Sequence, residues 1–255
     1  MKPLKRPVKI ALIISSVLLL AILVIVANVM RSRMQVRGIE VEINYGDTPR
    51  LVDQQTVIDT LRARIPDIQL KQVRQVDCNQ VTDAVLHVPF LTTVSTSVSI
   101  SGKIVIRADQ RHPVARLFYG NREAYIDLDG NVIPTSDLGE CNVVVASGEA
   151  LDSISSDSAN AQINTLWQVA RYLDSHADYK LLIDQLYIQR NSEIIMVPKV
   201  GDQIIELGDA TDLDNKFADL MAFYRNGMPR AGWHTYSKIC LKYRGQVVCT
   251  KKENQ

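Results

Sequence analysis

Val36 to Ile43 reads VRGIEVEI. Apolar and charged residues alternate along it, which is the period-two pattern of a half-buried strand. Downstream, Asp53 is placed to cap a helix with Val57, Leu61 and Ile65 on one stripe, ended by Pro66. Asp77 is placed to cap a second helix carrying Val81, Val85 and Val88, ended before Pro89. Two β-rich runs follow, Thr92–Ile100 and Lys103–Ala108, joined through Ser101-Gly102 as a hairpin. Strand, helix, helix, strand, strand within about seventy residues predicts helices packed on one face of a small sheet.

Upstream of that strand, Ile10 to Ala27 reads IALIISSVLLLAILVIVA. These eighteen residues carry no charge. At about 1.5 Å per residue they predict a transmembrane helix over residues 10–30, long enough for a hydrocarbon core of about 30 Å. Lys2, Lys5, Arg6 and Lys9 precede the run, against Arg31, Arg33 and Arg37 after it, which favours a cytoplasmic tail at residues 1–9. A cleaved signal peptide fits less well, because the apolar run is long and exits into Val-Met-Arg-Ser-Arg without an A-x-A site.

The second half begins at Arg111-His112-Pro113. Ala124–Leu128 and Asn131–Ile133 flank Asp129-Gly130, a hairpin-turn signal, and Val143–Ala146 reads as a short buried strand. Leu151–Ser158 reads as a loop, and Asp157 as the cap of a helix with Ile163, Leu166, Ala170 and Leu173 on its stripe. Leu186–Gln189 and Glu193–Val197 flank a turn, and Gln203–Leu207 follows. Thr211-Asp212-Leu213-Asp214 resembles a capping box opening a helix with Leu213, Phe217, Leu220 and Tyr224 on one side. Lys238–Tyr243, Arg244-Gly245 and Gln246–Thr250 read as a final hairpin.

Composition narrows the function. A formal net charge of +1 argues against nucleic-acid binding. None of the four cysteines, Cys78, Cys141, Cys240 and Cys249, sits in a CxxC pair, and four are too few for a disulfide-built scaffold. His87, His112, His176 and His234 form no HxxxH or HExxH motif, and neither a GxSxG elbow nor a glycine-rich phosphate loop occurs. These readings leave no catalytic, cofactor-binding or metal-binding residue to assign. Asp127 and Asp129 share a strand face, but the Asp-Gly turn explains them better than paired acid-base carboxylates. His112 reads as structural, Trp167 as packing, and Trp233 and Tyr236 either as packing or as surface anchors.

A two-residue turn at Arg244-Gly245 would set Tyr243 opposite Gln246 and Cys240 opposite Cys249. Directly opposed Cβ atoms lie about 4.5–5.5 Å apart, at the strained edge of disulfide geometry, so a bridge and two packed thiols both remain open. As the last strand of the fold, Gln246–Thr250 is also a candidate sheet edge for a partner strand.

These residues carry a family resemblance. Val36-Arg37-Gly38-Ile39, Gln110 to Arg116, the Ala124–Pro134 run and the Leu241-Lys242-Tyr243 to Cys249 ending resemble, in this order, the bacterial division proteins FtsQ and DivIB in their Bacteroidetes form. The resemblance implies an α+β chain: a single N-terminal transmembrane helix, a POTRA domain over residues 36–108 (β-α-α-β-β), a mixed β-sheet domain with flanking helices over 109–251, and a tail at 252–255. It implies a non-enzymatic scaffold without cofactors, anchored in lipid through residues 10–30, periplasmic beyond the span and placed at the division septum. Implied partners are FtsB- and FtsL-like proteins, with FtsK, FtsW and FtsI as further contacts, and no nucleic acid. The FtsB-like partner adds a strand to the last β-strand, so the implied partner-binding residues are Lys242, Tyr243, Gly245, Gln246, Val247, Val248 and Cys249. Two readings compete: a membrane-anchored POTRA component of a transport or secretion system, and a periplasmic enzyme.

Overall fold

The computed structural model describes residues 6–32, 34–152 and 161–252. The fold is α+β with a large mixed sheet. The chain divides into two compact units: Met1–Tyr45 with Val52–Gln110, and Gly46–Leu51 with Arg111–Gln255.

Helix α1 spans Arg6–Ser32. The transmembrane reading of residues 10–30 is corrected here: among the described residues no helix is long and apolar enough to cross a membrane. Residues 1–5 of the expected tail at 1–9, and the side chains of residues 6–13, 28, 31 and 32, lie outside the described residues.

The first unit continues with β1 (Gly38–Asn44), α2 (Gln54–Arg64), a 3-10 turn at Val73–Gln75, α3 (Cys78–Val85), β2 (Leu91–Val98) and β3 (Lys103–Gln110). The sheet order is β1-β3-β2. β1 runs parallel to β3, with Val41 beside Ile106, so a crossover is required, and the two helices supply it. Both helices start on local signals. Asp53 accepts from the Thr56 amide at 2.8 Å, and Asp77 from the Asn79 amide at 2.9 Å. Val57, Leu61, Val81 and Val85 then share one core with Val41, Ile104 and Ile106. Lys103 and Arg107, on the outer face of β3, pair with Glu40 and Glu42 of β1.

The second unit holds β4 (Pro113–Tyr119), β5 (Arg122–Asp127), β6 (Val132–Pro134), β7 (Val144–Ser147), α4 (Glu149–Asp152), α5 (Ala161–Ser175), α6 (Ala177–Leu182), β8 (Ile183–Ile188), β9 (Ile194–Pro198), β10 (Ile204–Gly208), α7 (Leu213–Asn226), α8 (Met228–Ala231), β11 (Tyr236–Cys240) and β12 (Val248–Lys251). They form one nine-stranded sheet in the order β12-β11-β10-β9-β8-β7-β4-β5-β6. β4–β7, β7–β8 and β10–β11 are parallel and the other pairs antiparallel. Leu166, Val169, Ala170 and Leu173 of α5, with Phe217, Leu220 and Tyr224 of α7, pack into one core with Leu117, Ala146, Leu186, Met196, Ile205 and Ile239 of the sheet.

Several local readings change. Leu151 and Asp152 belong to α4 rather than to a loop, while residues 153–160, including the expected cap Asp157, lie outside the described residues. The capping box at Thr211–Asp214 does not form. Asp212 is the N-cap, in the left-handed region with φ 52°, and makes no side-chain cap bond. Asp209 organises this corner instead, accepting from the Thr211 hydroxyl at 2.6 Å and from Lys216 Nζ at 2.8 Å.

Candidate partner-binding edge

β12 is the outermost strand of the sheet, and β11 is its one neighbour in the strand order. The Lys252 amide donates to the Thr235 carbonyl at 2.9 Å, so position 252 faces β11. Alternation then turns the backbone groups of Lys251 and Cys249 outward, toward the free edge. Val248 is 45% exposed, and Cys249 is half-buried against the core of the second unit.

The connection from β11 into β12 is longer than the expected two-residue turn. The Leu241 amide leaves the hairpin and donates to the Glu206 carbonyl of β10 at 2.9 Å. The Gln246 amide donates to the Tyr243 carbonyl across a tight turn at 3.1 Å. Gly245, third in that turn, has φ +69°, while Arg244 before it keeps a negative φ. This is a type II turn, which splays the strands on either side of it, unlike the primed turns that continue a ladder. Pairing therefore resumes only at Cys240 opposite Val248 and Ile239 opposite Cys249.

That register corrects the expected Cys240–Cys249 opposition. One residue of slip puts the two thiols on opposite faces of the sheet. All four cysteines are free. Burial pushes the Cys249 thiol above its ordinary value. Oxidation of the folded chain is expected to leave Cys240 and Cys249 unbridged. Peptide mapping of the chain, alkylated without reduction, checks this, and recovery of a linked 240–249 peptide would refute the register.

The residues implied as partner contacts divide by environment. Lys242 is already engaged, its Nζ 2.6 Å from Glu193. Tyr243 is 59% exposed, and Gly245 has open space where a side chain would begin. Val247 packs partly against the core. Beneath the loop lies a cavity of about 260 Å³, lined by residues that include Asp209, Asp212, Lys216 and Tyr243. The Lys216 ammonium, helped by the Thr211 hydroxyl, holds the Asp209 carboxyl down at about 2. Lys242 likewise lowers Glu193, and Glu193 raises Lys242. The sequence carries no short-range signal for the Lys242–Glu193 pair, whose members are 49 residues apart.

The signs of these shifts define a pH window. A depressed carboxyl stabilises above its unfolded value and loses that contribution as pH falls through its folded value. Lys242, raised, contributes below its ordinary 10.5 and loses that contribution as pH climbs through its folded value. The loop is therefore expected to stay clasped between the ordinary values of 4.5 for Glu193 and 10.5 for Lys242 and to loosen as pH falls below the first. Amide exchange at Leu241–Gly245 reads this directly, and loosening at pH 6 would contradict it.

Other candidates from the sequence are absorbed into structure. Asp127 is 1% exposed and accepts from Arg111 at 2.5 Å, the Asp129 amide at 3.0 Å and the Asn131 amide at 2.7 Å. It is the organiser of its turn. His112 Nε2 lies 2.9 Å from Asp174, which also takes Lys180 Nζ at 2.6 Å. Trp167 covers Gly130 and donates to the Leu128 carbonyl at 3.2 Å. Trp233 packs edge-on to Tyr224, and Tyr236 packs against Phe223, so neither is a free anchor.

The model of the family described as "FtsQ/DivIB, C-terminal related" matches residues 112–250, more than half of the chain. This range runs from the residue before β4 into β12 and so follows the second unit. The chain belongs to the FtsQ/DivIB C-terminal-related family. This is a family of non-catalytic division scaffolds, and membership supports a division-associated role. A model described as "Phage maturation protein" also matches, over residues 20–151. That range stops inside α4 and leaves out β8–β12, so it corresponds to no folded unit. No curated protein matches the chain.

Proposed function

We propose that this protein is a non-enzymatic scaffold of the division machinery. It binds FtsB- and FtsL-like partners and links early division proteins to septal peptidoglycan synthesis, with FtsK-, FtsW- and FtsI-like proteins as further contacts. The FtsB-like partner adds a strand to β12. The observation that carries this reading is the position of β12 at the open end of the nine-stranded sheet, with Cys249 and Lys251 turned to the edge. Backbone pairing supplies affinity there, and the exposed Tyr243 beside the edge supplies an aromatic contact. The buried carboxylate and the histidine nearest to a catalytic pattern, Asp127 and His112, are spent on a turn and on a hydrogen bond with Asp174.

Cys249→Pro tests the edge. Proline at an outward position removes a donor from the free side and none from the β11 ladder. Leaving a partner carbonyl unpaired costs about 1–3 kcal/mol, so affinity for the FtsB-like protein is expected to fall roughly 10- to 100-fold. Unchanged affinity with a folded variant would sink strand addition. In dividing cells the tagged protein is expected to form septal bands rather than an even distribution.

A further inference from the structure

The cations around β12 are not equivalent. Lys242 is held by Glu193 at 2.6 Å, Lys238 by Glu206 at 2.9 Å and Lys252 by Asp202 at 3.0 Å, and Arg244 lies 3.7 Å from Asp212. Lys251 is exposed and makes no ion pair among the described residues. Its place is specific. It lies in β12 at a position whose backbone groups face the free edge, and its side chain shares a face with Cys249, two residues back. Cys249 lies opposite Ile239 and packs against the core, whereas Val248 and Thr250 point to the other face.

We infer that the strand which adds to β12 carries a carboxylate directly opposite Lys251 and an apolar side chain two residues away, opposite Cys249. This rests on the strand addition proposed above and specifies the chemistry of the partner. Directly opposed side chains on neighbouring strands have Cβ atoms about 4.5–5.5 Å apart, where opposite charges attract and like charges repel. An apolar side chain opposite Cys249 extends the buried cluster outward by one strand. An unpaired lysine on an edge also blocks indiscriminate pairing, because an apolar strand would desolvate the ammonium without compensation and a basic strand would be repelled. Lys251 thus acts as a charge filter: it rejects neutral and basic strands and admits an acidic one.

The test uses the full chain and, as probe, the FtsB-like division protein, with affinity measured at low and high salt. Lys251→Glu is expected to weaken binding about five- to tenfold at low salt, with the loss shrinking at about 0.5 M salt. Lys251→Arg is expected to bind as the parent does. Reversing one carboxylate of the probe to lysine is expected to restore binding to the Lys251→Glu chain. Because the side chain is exposed, the far-ultraviolet spectrum and thermal midpoint should not move. If Cys249→Pro weakens binding and Lys251→Glu does not, the charge filter is wrong and strand addition stands. Weakening that no single carboxylate reversal rescues also overturns the direct pairing. If neither substitution has an effect, strand addition itself falls.

Discussion

Asp127→Ala is expected to destabilise the second unit by about 3–5 kcal/mol, the range seen when one partner of a buried ion pair is removed. Asp127 is almost fully buried and accepts from the Arg111 guanidinium, two turn amides and the Asn131 side chain. Alanine leaves all of these donors in place without an acceptor. Asp127→Asn keeps the shape and part of the bonding but loses the charge, so a smaller loss of roughly 1.5–3 kcal/mol is expected. Urea unfolding followed by tryptophan fluorescence reads this unit, because Trp167 and Trp233 both lie in it. Trp167 covers the turn itself. A loss below about 1 kcal/mol for Asp127→Ala would mean that Arg111 finds another acceptor and that the turn holds itself.

Gly148→Ala is the second large effect, expected at about 2–5 kcal/mol from the two costs that add at this position. Gly148 has φ +141°, outside the range a side-chain-bearing residue adopts without strain. A Cβ there would also overlap the backbone amide and carbonyl of Ile188. The overlap is with main chain in the middle of the sheet, so no rotamer relieves it. The β7–β8 ladder, where Ser147 pairs with Tyr187, must separate. Forced overpacking costs about 1–3 kcal/mol, and an unfavourable backbone region adds about 1–2. Gly46→Ala is the control: it also has positive φ, but open space surrounds it, so the backbone cost alone applies. Equal losses at the two positions would show that the close approach to Ile188 carries no weight.

Much of the fold was legible where the signal is local. Asp53 and Asp77 bond to amides two or three residues away, and the Asp129-Gly130 turn lies within the reach of Asp127. Side-chain period alone placed Ile163, Leu166, Ala170 and Leu173 in the core. What the sequence left hidden depends on distant contacts. The type II turn at Tyr243–Gln246 follows from the loop being pulled aside by Glu206 and Glu193, both more than thirty residues away. The one-residue slip of the last hairpin, and with it the separation of Cys240 from Cys249, follows from that pull. Thr211 fits the first position of a capping box, but its hydroxyl is turned to Asp209, which also holds Lys216, and the helix opens at Asp212 without a side-chain cap bond. At the candidate site, the edge position of the last strand was readable, but the neutralisation of Lys242 was not, and this shifts attention from Lys242 to Lys251.

The three parallel ladders of the second unit also set an order in time. β4–β7, β7–β8 and β10–β11 each close a loop of about twenty-five to thirty-five residues, whereas β4–β5, β8–β9 and β11–β12 are hairpins. Closing the long loops costs entropy before their contacts repay it, so the hairpins lead and the crossovers limit the rate. The terminal hairpin is therefore expected to form early and to wait, with the β10-facing edge of β11 still bare, until α7 brings it home. During that interval the nascent domain presents two sticky edges, and a partner strand arriving too soon has a wrong one to choose.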